Sequence, residues 1–312
     1  MDVMKLVALM VARNEDWIIG LSLRAALEWA DAAVVLDHGS TDRTADIVEE
    51  VTAEWEGRKS VAYMFQPAEP FWPEMEHRQA TLELGRVIGG THFAIVDADE
   101  VVTSNLWPFV RGLASRLQPA QALDLPMIAC WRSIRRYRED SSVWSKSVVT
   151  LAFRDRPGLE WRPARDGYEH HSRPPAGTLR DRFRPFPARA ESAAGRSPDR
   201  GGVMHLQWVD WRRVRAKHAW YRMVEALRWP GRRTPGEINL AYSLALDEDG
   251  LALRECRPEW LDGLVPLLPN LRLGGVPWQE DEILRMIDQY GIERFAGLDI
   301  PADLAGEEGT HG

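Results

Sequence analysis

The chain has 312 residues, of which 45% are hydrophobic and 28% are charged, and its formal net charge is −8 at pH 7. This length and composition are those of a globular protein with a sizeable core, and they exclude a disordered chain. The negative charge argues against nucleic acid as a partner, because proteins that bind it carry a basic surface. The two cysteines provide neither a disulfide framework nor a cysteine-based zinc site.

No apolar stretch reaches the length of a membrane span. The N-terminal residues run directly into a strand-like sequence, so they do not have the form of a signal peptide. We therefore expect a cytoplasmic protein without an integral membrane segment.

The first third of the chain alternates strand-like and helix-like patterns. The predicted elements are a strand at 6–11, a helix ending near 29, a strand at 33–36, a helix over 45–55, a strand at 61–65, a helix at 76–87 and a strand at 93–96. This alternation predicts an α/β fold with parallel β-α-β units and helices on both faces of the sheet. In such open sheets, ligands bind beyond the carboxyl ends of the strands.

The rest of the chain is less regular. Two more strands are predicted at 123–131 and 147–153, a flexible loop rich in Arg, Pro, Gly and Ser at about 172–202, a short strand at 203–208, and helices at 211–229 and 238–246. We predict a sheet domain over residues 1–202, a smaller, mostly helical region over 203–300, and a tail over 301–312.

Carboxylates alternate directly after the fourth predicted strand, in the run Asp-Ala-Asp-Glu at 97–100. Mg²⁺ and Mn²⁺ take oxygen ligands, commonly one or two carboxylates together with substrate phosphates. The run therefore predicts a metal site at the mouth of a cleft. A solvated acidic loop that caps the next helix is the alternative.

Polar residues also follow the first two strands, at 12–15 and 37–44. Ser40, Thr41 or Asp42 can cap the helix that follows. Asp37 lies at the strand end, where its carboxylate can accept a hydrogen bond from a base or a ribose. Capping alone is the alternative.

The order and spacing of these three runs resemble those of family-two glycosyltransferases of the GT-A fold. The resemblance covers roughly the first half of the chain and thins beyond residue 153. It implies a GT-A nucleotide-sugar-binding and catalytic domain, followed by an acceptor-side region. It also implies transfer of a sugar from a nucleotide-diphosphate sugar of the UDP, GDP or dTDP type to an acceptor nucleophile, assisted by Mn²⁺ or Mg²⁺ and with inversion favoured.

The resemblance assigns roles by position. In it, Ala12, Asn14 and Glu15 line the nucleotide pocket, and Asp37 contacts the base. His38 departs from the pattern, because many members have a second acid or a small polar residue there. The base preference therefore stays open.

Further roles follow from the same resemblance. Asp97 contacts the ribose or the metal, and Asp99 binds the metal. Arg78 resembles a polar position that contacts the base or a phosphate. His205, on the short strand after the long loop, resembles the late histidine that completes the metal or diphosphate site in many GT-A enzymes. A structural histidine is the alternative for His205.

An inverting transfer needs a general base that takes the proton of the acceptor. The candidates lie in the polar stretch 161–171, with Glu169 first, followed by Asp166, His170 and His171. A plain polar loop is the alternative.

Two other classes of protein compete with the glycosyltransferase. A nucleotidyltransferase on a related fold would carry a Gly-rich, basic loop after the first strand, and residues 13–16 (Arg-Asn-Glu-Asp) do not match that description. A non-catalytic nucleotide or sugar binder with a decayed site is the second alternative, and the retained acids argue against it.

Overall fold

The computed structural model describes residues 3–69, 71–162, 173–185 and 200–304. The chain forms two compact units. The first contains Met1–Leu206 and Ala252–Arg272, and the second contains Gln207–Leu251 and Leu273–Gly312. Within the described ranges, no helix is both long enough and apolar enough to cross a membrane.

The secondary structure follows the chain in this order: β1 (Leu6–Ala12), α1 (Ile19–Trp29), β2 (Ala32–His38), α2 (Thr44–Trp55), β3 (Ser60–Gln66), α3 (Glu74–Val87), β4 (His92–Ile95), β5 (Glu100–Val102), α4 (Trp107–Ala114), β6 (Ala122–Ala129), β7 (Arg136–Arg138), α5 (Val143–Lys146), β8 (Val148–Arg154), β9 (Val203–His205), α6 (Trp211–Arg228), α7 (Pro235–Ser243), β10 (Leu253–Glu255), α8 (Pro258–Leu261) and α9 (Trp278–Tyr290). Short 3-10 helices lie at Ser104–Leu106, Val265–Asn270 and Ile292–Phe295.

Eight strands form one mixed sheet in the order β3-β2-β1-β4-β8-β6-β9-β5. The first four are parallel to one another, whereas β8 runs antiparallel to β4 and to β6. Strands β7 and β10 form a separate antiparallel pair. The predicted α/β fold and the mostly helical C-terminal region are both confirmed.

Both faces of the central strands β1 and β2 are buried. In β1, Leu6, Ala8 and Met10 pack on the face covered by α1 and α2, while Val7 and Leu9 pack on the face covered by α3. Because successive side chains of a strand point to opposite faces, a strand covered on both sides is a continuous apolar run. This double burial explains the uninterrupted hydrophobic sequence of β1 and of β2 as far as Leu36.

Several predicted boundaries move by a few residues. The predicted helix at 76–87 begins at Glu74, and the strand predicted at 203–208 ends at His205. The helix predicted at 238–246 begins at Pro235, because Thr234 and Glu237 form a reciprocal capping box that fixes its start.

The order of the strands determines where a ligand can enter. From β1 the chain moves outward through β2 to β3, and then β4 pairs on the other side of β1. The carboxyl ends of β1 and β4 therefore flank a topological switch point, which is where open α/β sheets bind ligands. The three polar runs after β1, β2 and β4 all lie at this edge.

Candidate functional site

A buried carboxylate lies at the end of β2. Asp37 is fully buried and pairs in register with Ala12 at the end of β1. One of its oxygens accepts a hydrogen bond from the Ser40 amide at 2.8 Å, and the other accepts from the Tyr63 hydroxyl at 2.8 Å. Burial and the bond to Asp37 raise the pKa of Tyr63. Both carboxylate oxygens are therefore held in place by neutral donors.

Asn14 connects the turn after β1 to the turn after β2 through hydrogen bonds. Its backbone has a φ of 53°, and its amide donates to the Ser40 hydroxyl at 2.8 Å. Its side-chain oxygen accepts from the Thr41 amide at 2.7 Å and the Asp42 amide at 3.3 Å. A short amide side chain tolerates this left-handed backbone, so Asn14 shapes the rim of the site through its neighbours.

Glu15 extends the same link. Its amide donates to the Thr44 hydroxyl at 2.8 Å, and its carboxylate accepts from the indole nitrogen of Trp17 at 2.6 Å. Of the three residues predicted to line a nucleotide pocket, Asn14 and Glu15 thus lie at the rim of the site, and Ala12 is buried beneath them.

Two buried histidines, His38 and His77, lie against each other next to the end of β2. His38 and His77 are each 1% exposed, and their ring centroids are 4.4 Å apart. Trp72 meets both rings edge-on, and the Glu69 amide donates to Nε2 of His38 at 3.0 Å. Burial lowers the pKa of His38 to about 4 and that of His77 to about 3. Both imidazoles are therefore neutral at physiological pH.

Arg78 connects α3 to the acidic run after β4. Its Nε donates to Glu74 at 2.9 Å, and its Nη2 donates to Oδ1 of Asp97 at 3.0 Å. The predicted contact of Arg78 with base or phosphate is untested, but the structure places Arg78 directly beside Asp97.

A second guanidinium reaches the same acids from the segment at 173–185. Arg173 donates to Oδ2 of Asp97 at 3.1 Å, to both oxygens of Glu100 at 2.7 and 2.8 Å, and to the carbonyl of Ile95 at 2.9 Å. Burial opposes the charge of Asp97, but Arg78 and Arg173 hold the pKa of its carboxyl below the ordinary value. Asp97 is therefore an ionised carboxylate between two arginines.

Asp99, in the turn before β5, meets His205 at the end of β9. Oδ1 of Asp99 lies 3.4 Å from Nε2 of His205, and the Leu206 amide donates to the Asp99 carbonyl at 2.8 Å. His205 is in register with Glu100 across the β5–β9 pair. The two residues predicted to bind a metal are therefore adjacent, although they come from distant parts of the sequence.

The donors present fit a divalent ion that arrives with a phosphate ligand. Within the described ranges, no group of three or more His, Cys, Asp or Glu side chains could hold a metal. Mg²⁺ is commonly bound through one or two carboxylates, with substrate phosphates and water completing its coordination. Asp99 and His205 would supply the protein part of such a site.

The predicted general bases cannot be compared with the structure, because Glu169, Asp166, His170 and His171 lie outside the described residues. Sequence reasoning missed Arg173, which lies in a stretch without periodicity. It also missed His77, whose proximity to His38 depends on the packing of α3 against β2.

The comparisons with known proteins leave the family open. No protein-family model and no curated protein matches this sequence. Among solved structures, a nucleoside-diphosphate-sugar pyrophosphorylase from Vibrio cholerae RC9 is similar over 50% of this chain and 68% of that chain, with 11% identity and a TM-score of 0.27. A TM-score at this level does not establish a shared fold.

Proposed function

We propose that this protein is a glycosyltransferase that uses a nucleotide-diphosphate sugar and a divalent ion. The observation that carries the proposal is the 3.4 Å approach of Asp99 to His205 at the edge of the sheet where β1, β2 and β4 end. A carboxylate and an imidazole beyond the carboxyl ends of the strands fit a diphosphate with its metal ion.

The nucleotide would lie over the rim formed by the turns after β1 and β2. In this proposal Asn14 and Asp37 shape the pocket for the base, and Asp97 accepts a hydrogen bond from the ribose. Arg78 orients Asp97 through their 3.0 Å contact and adds positive charge near the phosphates. Fixed groups of this kind position the sugar without reorganising during the reaction.

Asp99 and His205 would hold Mn²⁺ or Mg²⁺ together with the diphosphate. When bound, the ion would neutralise charge on the departing nucleoside diphosphate. An acidic site otherwise repels a diphosphate, and the arginines reduce this repulsion, since Arg173 and Arg78 offset the charges of Glu100, Asp97 and Glu74.

The acceptor side of the mechanism remains a prediction from the sequence. Glu169 is the first candidate for the general base, followed by Asp166, His170 and His171. The base would take the acceptor proton as the acceptor oxygen attacks the anomeric carbon, giving inversion.

The test is the release of nucleoside diphosphate from UDP-, GDP- and dTDP-sugars, each with Mn²⁺ and with EDTA. We expect Mn²⁺-dependent release from one base class, through transfer or slow hydrolysis, and a large loss of turnover in Glu169→Gln with the affinity for the nucleotide unchanged. Normal turnover in Glu169→Gln would show that another residue is the general base.

Two outcomes would contradict the proposal. Pyrophosphate release from a nucleoside triphosphate and a sugar 1-phosphate would identify a nucleotidyltransferase. Binding of a nucleotide without turnover, over a broad panel of acceptors, would identify a non-catalytic binder.

A further inference from the structure

Arg222 is a buried cation on α6, within the second unit. Only 1% of the residue is exposed, yet its Nε and Nη2 have no hydrogen-bond partner among the described residues. The carboxylate of Asp299 approaches Nη2 to 3.8 Å, which is too far for a hydrogen bond. A buried guanidinium is costly unless its charge and its donors are both matched.

The acid nearest to Arg222 along α6 is engaged elsewhere. Glu225 is 2% exposed, and one of its oxygens accepts from the Tyr242 hydroxyl at 2.9 Å. Its other oxygen lies 3.3 Å from Nη1 of Arg233. The charge of Glu225 is therefore balanced by Arg233.

Asp299 lies on the solvent side of Arg222. Its side chain is 70% exposed, and its amide donates to the side-chain oxygen of Asn239 on α7 at 2.8 Å. Burial lowers the pKa of Arg222, while Asp299 and Tyr242 raise it. The guanidinium nevertheless stays charged, because arginine does not lose its proton in proteins.

We propose that Arg222 anchors a binding site for an oxyanion, the phosphate or carboxylate group of a small molecule. Nε and Nη2 form one edge of the guanidinium, and this edge can donate two parallel hydrogen bonds to a carboxylate or a phosphate. The oxyanion replaces the distant Asp299 as the counter-ion, entering from the side where Asp299 is exposed. All of these residues lie in the second unit, so the inference does not rest on the proposed glycosyltransferase activity.

The test is calorimetric titration of the full chain with inorganic phosphate and with glucuronate, at constant ionic strength and in EDTA. We expect one of the two to bind, and Arg222→Met to weaken that binding at least tenfold. Arg215→Met is the matched control, because Arg215 lies on the same helix and pairs with Asp303 at 2.8 Å. The Arg215→Met variant should bind the oxyanion as tightly as the unmodified protein does. Binding of phosphate indicates a phosphate site, and binding of glucuronate indicates a carboxylate site.

Asp299→Asn provides the opposite change. It removes the competing carboxylate, so it should bind the same oxyanion more tightly than the unmodified protein does. Asp99→Asn should leave this binding unchanged, which separates the site from the candidate diphosphate site in the first unit.

The proposal is overturned if Arg222→Met binds as well as the unmodified protein. It is also overturned if neither oxyanion binds the unmodified protein or Asp299→Asn. Should Arg222→Met fail to fold by circular dichroism, Arg222→Lys serves in its place. The lysine keeps the charge but lacks the two parallel hydrogen-bond donors of the guanidinium, so full affinity in Arg222→Lys would contradict the proposal.

Discussion

Arg173 donates to both carboxylate oxygens of Glu100, at 2.7 and 2.8 Å, and so joins the segment at 173–185 to the end of the parallel sheet. The side chain of Glu100 is 2% exposed and that of Arg173 is 16% exposed. A charge pair with this little exposure is poorly screened by water, and loss of one partner leaves the other buried without compensation.

We therefore predict strong coupling between these two residues. Arg173→Met and Glu100→Gln should each lower the free energy of unfolding by about 3 kcal/mol or more, and the double variant should cost less than the sum. Urea unfolding of the four proteins measures the coupling. The same cycle on the more exposed pair Arg285 and Glu282 should give about 1 kcal/mol or less. Additive effects at Arg173 and Glu100 would contradict this account.

Gly39 should be irreplaceable in the turn after β2. Its φ is 64°, and an added Cβ would lie 2.3 Å from the backbone nitrogen of Ala68. Gly39→Ala should therefore cost more than the roughly 1–2 kcal/mol of left-handed strain alone. Gly57→Ala is the control, because Gly57 has a φ of 75° but nothing within 4 Å of an added Cβ. Equal losses of unfolding free energy in the two variants would refute the close contact.

The buried histidines should make stability depend on pH. Burial lowers the pKa of His77 to about 3 in the folded protein. As the pH falls, the unfolded chain therefore protonates this histidine near the ordinary value of 6.5, before the folded protein does. Stability from this group is complete above pH 6.5 and falls as the pH decreases toward 3. Near pH 5, His77→Phe should reduce the slope of unfolding free energy against pH by about 1.4 kcal/mol per unit.

Urea unfolding at pH 6.5, 5.5 and 5.0 measures that slope. His38 and His92 should keep their own contributions in the His77→Phe variant, since burial also lowers the pKa of each to about 4. An unchanged slope would show that His77 titrates normally in the folded protein.

Asp99 should control the metal dependence of nucleotide binding. Asp99→Asn should weaken diphosphate binding in Mn²⁺ at least tenfold and leave the weak binding in EDTA nearly unchanged, because the amide is a poorer ligand for a hard cation. Asp288→Asn, an exposed position on α9, is the control and should bind normally. If Asp99→Asn kept its full Mn²⁺-dependent affinity for the diphosphate, Asp99 would not be a metal ligand.

The parallel core could be predicted because its signals are local. Strand β1 and the first five residues of β2 are continuous apolar runs, and the helices α1 and α2 repeat apolar residues at helical spacing. The short strands β5, β7 and β10 have three residues each, which is too few for any periodicity to appear. Their pairing depends on neighbours that are distant in sequence.

The candidate site likewise contains residues that the sequence could indicate and residues that it could not. Asp37 lies at the end of β2, and Asp97 and Asp99 lie in the turn after β4, so the sequence indicated their common edge. Arg173 carries no such signal, because its contacts with Asp97 and Glu100 depend on how an aperiodic segment returns to the sheet. Long-range ion pairs of this kind become visible only in the folded chain.

The most direct test of the central proposal is calorimetric titration of the full chain with UDP, GDP and dTDP, each with Mn²⁺ and with EDTA. We expect one of the three to bind tightly, and to do so only when Mn²⁺ is present. A folded protein that binds none of them under either condition would contradict a nucleotide-sugar site at the ends of β1, β2 and β4.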